Sequence, residues 1–226
     1  MDYGRQDSII NPEVLVWPFH IIGLGAIGSA VAQVLAKLGV PEFHLWDDDT
    51  LEDVNRPNQL LYRRQDVGKK KVEAALEVLA SYSEAQIIIH NVRFKRDLIR
   101  WLDGVIISGV DSMLSREEIW QAVKFNPQVH LYLDGRIGGE ALELHTARPY
   151  MIEDVAIYEQ SLFPDEEAAS LPCGASSIIH PPVILAGLVA NQITRWVRKE
   201  SFYRTIISGL RAMSWINNDL TEQKEK

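Results

Sequence analysis

The stretch FHIIGLGAIGSAVAQVLAKLGVPEFHLWDDD, residues 19–49, limits the fold of this chain more than any other segment. Phe19–Ile22 reads as a short apolar strand. Gly23, Gly25 and Gly28 follow it as G-x-G-x-x-G. The first glycine permits a tight turn, the second lets a ligand approach the backbone, and the third lets a helix pack on the strand. Ala26–Leu38 then places Ile27, Val31, Val34, Leu35 and Leu38 on one helix face. Gly39 and Pro41 end that helix. Phe43–Trp46 is a second strand, and Asp47 at its end can accept hydrogen bonds from ribose hydroxyls. Strand, glycine turn, helix, strand and acid in this order predict a nucleotide site at a helix N-terminus, where free N–H groups and a partial positive charge meet phosphate or ribose oxygens. The loop does not choose between a nicotinamide cofactor and ATP.

The alternation continues downstream. Glu52–Gln65 is polar and reads as a loop or broken helix. Gly68–Tyr82 has Val72, Ala75, Leu76 and Leu79 on one helical face. Ile87–His90 and Val105–Ser108 read as strands, with a short helix over Asp97–Leu102 and a longer one over Ser112–Phe125. Val129–Leu133 and Ala141–His145 are strands on either side of DGRIGGE, a glycine-rich turn. Residues 147–172 lack a clean period and read as an irregular crossover or substrate loop. Pro181 and Pro182 open a helix that runs to about Arg198. Tyr203–Trp215 reads as one or two terminal strands, and the polar tail NNDLTEQKEK as frayed. The expected fold is therefore α/β: a Rossmann-like, mostly parallel sheet with helices on both faces, extended by antiparallel strands, in one domain over residues 1–226. Ligands bind such sheets at the carboxyl ends of the strands. That rule gathers Gly23–Gly28, Asp47–Asn58 and Ser108–Ser112 around one crevice.

Composition narrows the function by exclusion. The formal charge of −8 argues against a broad nucleic-acid footprint. Cys173 is the single cysteine, so no internal disulfide or cysteine-rich zinc site is expected. The N-terminal residues lack a signal-peptide profile, and no apolar run is long enough to span a bilayer. The expectation is a cytoplasmic protein without nucleic-acid or membrane partners. The histidines fall singly, mostly in strands, without metal-ligand spacing. Arg136, in the glycine-rich turn near the expected crevice, reads either as a contact for a substrate carboxylate or, by preference, as a solvated side chain.

Residues beyond Asp47 separate the two nucleotides. Chemistry on ATP needs a cation against phosphate, a carboxylate for magnesium and polar groups to orient the triphosphate. Lys71, Asp111, Arg56, Asn55 and Asn58 are groups of those kinds. In order along the chain stand Arg5-Gln6, the glycine loop, Asp47 and Asp49, Asn55 and Gln59, Gly68-Lys69-Lys70-Lys71, and Asp111 with Arg116. This succession resembles the ThiF/MoeB/HesA family, bacterial relatives of ubiquitin-activating enzymes, over most of the chain, and in particular a zinc-free subgroup.

The resemblance implies an adenylyltransferase that uses ATP and Mg2+, and no zinc. It would activate the C-terminal carboxylate of a ubiquitin-like or sulfur-carrier protein or a peptide, often ending in Gly-Gly, and release pyrophosphate. It also implies the roles. Gly23, Gly25, Gly28 and Asp47 bind the nucleotide, with Asp49 beside them. Asn55, Asn58 and Gln59 line the triphosphate site. Lys71 contacts the phosphates, and Asp111 holds magnesium. Arg5 resembles an arginine finger lent by the neighbouring subunit of a homodimer. Cys173, in LPCGASS, stands where family members often carry a cysteine, which in some of them takes the activated acyl group. One departure stands out. Asn58 occupies the place of a family arginine, and Arg56 lies two positions earlier. Two rivals remain at this point: an NAD(P)-dependent oxidoreductase, and a weakened ATP-binding scaffold for a ubiquitin-like partner.

Overall fold

A computed structural model describes residues 1–164 and 178–221. Eight strands form one sheet: β1 (Pro18–Ile22), β2 (Glu42–Trp46), β3 (Gln86–His90), β4 (Gly104–Ser108), β5 (Val129–Gly138), β6 (Ala141–Ala147), β7 (Tyr203–Gly209) and β8 (Ser214–Leu220). Their order is β3-β2-β1-β4-β5-β6-β7-β8. β3 to β5 pair in parallel, and β5 to β8 pair antiparallel. The expected mostly parallel, antiparallel-extended sheet is what the chain forms.

Alternation along the strands loads both faces. Phe19 and Ile21 join a core with α1 (Ala26–Leu38), α2 (Lys71–Ala80) and α5 (His180–Val197). Ile22, one residue on, joins a second core with α3 (Met113–Val123) and α4 (Ile152–Glu159). The period of two in the strands and the apolar helix stripes are thus the two halves of one pattern. Ile27, Val31 and Leu35 of α1 are buried as the spacing predicts. Burying each such side chain contributes about 1.5–3 kcal/mol. Gly39 closes α1 in the left-handed conformation at φ 94°, which a residue with a Cβ rarely adopts.

Several expectations are corrected. The DGRIGGE stretch is not a turn over most of its length. β5 continues through Gly138, and the reversal is confined to Gly139 and Glu140, with Gly138 paired to Ala141. Gly135 is there for packing: a Cβ would come within 2.7 Å of Leu185 Cδ2 and 3.1 Å of Ile27 Cγ2. Residues 147–172 are not irregular throughout, since α4 fills 152–159. α4 turns only Val155, Tyr158 and the paired carboxylate of Asp154 inward, too few for a visible period. The terminal strands are two, and Asn217–Leu220 belongs to β8 instead of a frayed tail. The second helix is shorter than 68–82, because Gly68 sits at φ 91° outside it.

The chain runs outward from β1 through β2 to β3, then returns to β4 on the other side of β1. That reversal is the switch point at which such sheets open a crevice.

Candidate active site

The floor of the crevice is main chain. Gly23 turns at φ 86°, and a Cβ there would lie 3.0 Å from Gly109 O. A Cβ on Gly28 would lie 1.9 Å from Gly23 O, and one on Gly109 would lie 3.1 Å from Gly28 N. The loops after β1 and β4 and the start of α1 therefore touch backbone to backbone. Gly25 differs. It is the N-cap of α1 at φ −71°, it lines the cleft, and a Cβ on it would meet nothing within 4 Å.

One cleft stands over this floor and collects Gly23, Gly25, Asp47, Asp49, Lys71 and Asp111 from four places in the sequence. Asp47 is fixed at the end of β2. Its Oδ2 accepts from Leu24 N at 2.7 Å and its Oδ1 from Asp49 N at 2.8 Å. Burial pushes its carboxyl pKa upward against Lys71 and the two backbone donors, which pull it down. Lys71, nearly buried at the start of α2, donates from Nζ to Asp49 Oδ2 at 2.6 Å and lies 4.0 Å from Asp47 Oδ1. Of the three consecutive lysines only Lys71 faces the cleft. Lys69 pairs with Glu77 and Asp66, and Lys70 donates to Asp48 O. Asp111 is exposed at the cleft edge, just before the α3 N-cap Ser112, whose hydroxyl accepts from Ser115 N.

Other predicted residues do not line the cleft. Asn55 closes a capping box, its Oδ1 accepting from Glu52 N at 2.9 Å. Arg56 donates to Asp53 Oδ1 at 2.6 Å. Yet Arg56 Nε, Asn58 Oδ1 and Gln59 Oε1 are buried with no hydrogen-bond partner among the described residues. Three orphaned polar atoms in one loop are costly, about 1–3 kcal/mol each. Arg5 is exposed. Its neighbour Gln6 donates to Leu38 O at the far end of α1, and the helix between spans about 20 Å at 1.5 Å per residue. An arginine side chain cannot cover that distance to its own glycine loop. Cys173 lies outside the described residues.

The structure adds residues that the sequence did not point to. Val92, Arg93 and Phe94, after β3, line the cleft with Trp46 and Ile119. Arg93 Nη2 donates to Ser115 Oγ at 3.1 Å. Tyr62, buried, donates to Leu24 O at 3.0 Å and so holds the glycine loop from outside. Behind the Asp111 loop lies Asp134, fully buried. Its Oδ1 accepts from Arg116 Nε at 3.1 Å. Its Oδ2 accepts from Arg136 Nε at 2.8 Å and Tyr158 OH at 3.1 Å. Burial would raise the Asp134 pKa, but the two guanidinium groups outweigh it and hold it below the usual carboxylate range. Arg116 also donates to Val110 O at 2.5 Å, and Arg136 to Ser161 O at 2.8 Å. Arg136 is thus a buried, fully engaged strand residue, where its sequence context suggested a solvated one.

Beside the cleft, on the α3 face, three imidazoles stack across the sheet. Trp46 Nε1–H donates to His20 Nδ1 at 3.2 Å, so that nitrogen carries no proton and His20 is neutral with its proton on Nε2, toward Asp103 Oδ1 at 3.0 Å. His44 Nδ1 and His90 Nε2 share a hydrogen bond of 3.1 Å, and Trp46 lies flat on His90 with ring centres 3.6 Å apart. Burial first, then neighbouring imidazoles, lowers the His90 pKa to about 4.

Comparison with known proteins gives a consistent picture. A family model described as the ThiF family matches residues 16–224. Ubiquitin-like modifier-activating enzyme 5 of Dictyostelium discoideum is 42% identical over 89 residues, 39% of this chain and 22% of that protein. Molybdopterin-synthase adenylyltransferase of Escherichia coli K12 is 37% identical over 78 residues, 34% of this chain and 29% of that protein. The matched stretch is under a third of the length of either relative. Among solved structures, PaaA superposes with a TM-score of 0.75 at 17% identity, covering 98% of this chain and 76% of that one. E. coli MccB with ATP superposes with a TM-score of 0.73 at 18% identity, covering 92% and 65%. Likeness at that identity is a likeness of fold.

Proposed function

The chain belongs to the ThiF family, and from that premise we propose that it is an ATP- and Mg2+-dependent adenylyltransferase. Its substrate would be the C-terminal carboxylate of a ubiquitin-like or sulfur-carrier protein ending in Gly-Gly, or of a peptide. The observation that carries this reading is Gly25. Gly25 is the N-cap of α1, and a Cβ on it would stand in open space. That open space is in the cleft, where a closely approaching ligand needs it. The orphaned Arg56 Nε supports the same reading, because its N–H can donate to a triphosphate oxygen, whereas the orphaned oxygens of Asn58 and Gln59 need a donor such as an adjoining subunit would bring.

In the proposed reaction a carboxylate oxygen attacks the α-phosphorus in line. The O–P bond to that atom forms, the bond to the bridging oxygen breaks, and pyrophosphate leaves with its electrons. Asp47 holds the ribose. Each of its oxygens already takes one backbone donor and keeps acceptor capacity for a hydroxyl. Lys71 exchanges Asp49 for phosphate oxygens and offsets the charge that builds on them. The free N–H groups at the start of α1 add to this at no reorganisation cost. Asp111 offers the hard oxygen ligand that Mg2+ requires, and the ion, when bound, neutralises phosphate oxygens. Arg5 serves the cleft of a second copy, so the working form is a homodimer. Cys173 is the proposed acceptor where the acyl group is passed on within the chain. A cytoplasmic site of action, where ATP is available, completes the proposal.

ATP–pyrophosphate exchange tests it. Exchange stimulated by a Gly-Gly-ended partner is expected. ATP binding without exchange would favour the scaffold reading, for which the lack of an arginine at Asn58 speaks. Reduced nicotinamide absorbance in the purified protein would favour the oxidoreductase.

A further inference from the structure

We propose that Arg93 clamps the nucleobase, its planar guanidinium lying over the base and pinned across the cleft by Ser115. The inference rests on the adenine-nucleotide reading above and extends it to a residue that reading does not use.

The order of the sheet places the parts of a nucleotide. Phosphates meet the glycine loop after β1, and the ribose meets the acid after β2. Going outward from β1, the next strand end is that of β3, so the base falls there. The cleft changes character in the same direction. Its glycine-loop wall is polar, with Asp47, Asp49 and Lys71, whereas the far wall offers Trp46, Val92, Phe94 and Ile119. An aromatic base suits apolar walls, and Phe94 meets Trp46 edge-on with ring centres 5.5 Å apart.

Arg93 is the charged group of that far wall. Lys71 and Arg93 are the two cations among the described residues lining the cleft. Lys71 is on the α2 side of the sheet. Arg93 stands on the opposite side, where Phe94 joins the α3 core. Its Nη2 reaches from the loop after β3 to Ser115 Oγ in the first turn of α3. Ser115 is itself held, with Ser112 Oγ donating to its hydroxyl at 2.9 Å. The guanidinium therefore bridges two elements over the base end instead of trailing into solvent. A guanidinium is flat, weakly hydrated and stacks on aromatic faces, which an ammonium does not reproduce.

Calorimetric titration of the full chain with ATP, AMP and adenosine tests the assignment. Arg93→Ala should weaken all three to a similar extent, about threefold to thirtyfold, the range for a cation over an aromatic face. Arg93→Lys should not restore the loss. Arg93 is exposed, so neither variant threatens folding. Weakening of ATP with adenosine unchanged would mean a phosphate contact and overturn the proposal. Full rescue by lysine, or no change with any ligand, would overturn it too. A wild-type chain that binds none of the three would instead overturn the nucleotide reading itself, a failure visible before any variant is made.

Discussion

Replacing Asp134 by asparagine should destabilise the protein by about 3–5 kcal/mol, the usual result of stripping one partner from a buried ion network. The change is nearly isosteric, so no cavity forms and the loss is electrostatic. Each guanidinium contact near 3 Å corresponds to about 5 kcal/mol at an effective dielectric of about 20, and desolvation of the buried groups offsets several kcal/mol of that sum. Geometry also decides where the damage falls. Oδ2 serves two donors, Arg136 and Tyr158, whereas Oδ1 serves Arg116 alone. An asparagine loses less by keeping its oxygen at the first position and turning its amide toward Arg116. Arg116 then faces a donor, and its hold on Val110 O, next to Asp111, loosens. Urea unfolding should show a midpoint lower by about 1–2.5 M, taking a slope of about 2–3 kcal/mol/M. The pH dependence has a definite sign. The folded pKa of Asp134 lies below its unfolded value, so its contribution is complete above about pH 4 and is lost as the pH falls further. The gap between wild type and variant should be constant from pH 5 to 8 and narrow only in stronger acid. A loss under about 1 kcal/mol at neutral pH would refute the argument that this carboxylate is a necessary counter-charge.

Gly25→Ala, whose Cβ would enter the cleft without striking protein atoms, should lose nucleotide affinity by calorimetry, whereas Gly28→Ala, whose Cβ would strike Gly23 O, should be the more strongly destabilised of the two in thermal melts. Lys71→Ala should lower ATP–pyrophosphate exchange by about 10²–10³-fold, the scale for one preorganised charge-stabilising group; intact exchange would remove Lys71 from the site. His90, with its pKa lowered to about 4, is neutral when folded, so the unfolded chain binds more protons between about pH 6.5 and 4 and stability should fall with acid over that window. Melts of His90→Gln should show a shallower slope there, and an unchanged slope would place the acid sensitivity elsewhere.

The glycine loop, Asp47 and the helix faces of α1 and α2 were legible because their signals are local: period, cap and turn. Lys71 was legible as chemistry, though nothing in three consecutive lysines says which of them faces inward; the pairing of Lys69 with Glu77 decides that. Arg93 was not legible. In NVRFKRD it looks like any charged loop residue, and only the strand order carries it to the cleft. Tyr62 and Gly109 matter through contacts that close in three dimensions, with Leu24 O and Gly28 N. The glycines of DGRIGG suggested a bend because glycine commonly marks one. Here Gly135 makes room for Leu185 and Ile27, a demand made by helices distant in sequence. β8 has its residues up to Asn218 exposed, so no alternation of burial announces it.

The backbone seam of Gly23, Gly28 and Gly109 bears on how such a cleft can diversify. A floor without side chains has nothing to exchange. A Cβ on Gly28 would collide with Gly23 O, one on Gly23 would be strained by its positive φ, and one on Gly109 would be tightly packed, so variation of this surface is costly. Variation has more room in an exposed wall residue such as Arg93 than in the buried Trp46 and Phe94, which also belong to the core. In the proposed reading, tolerance of a nucleotide would belong to the floor and the choice among nucleotides to the walls.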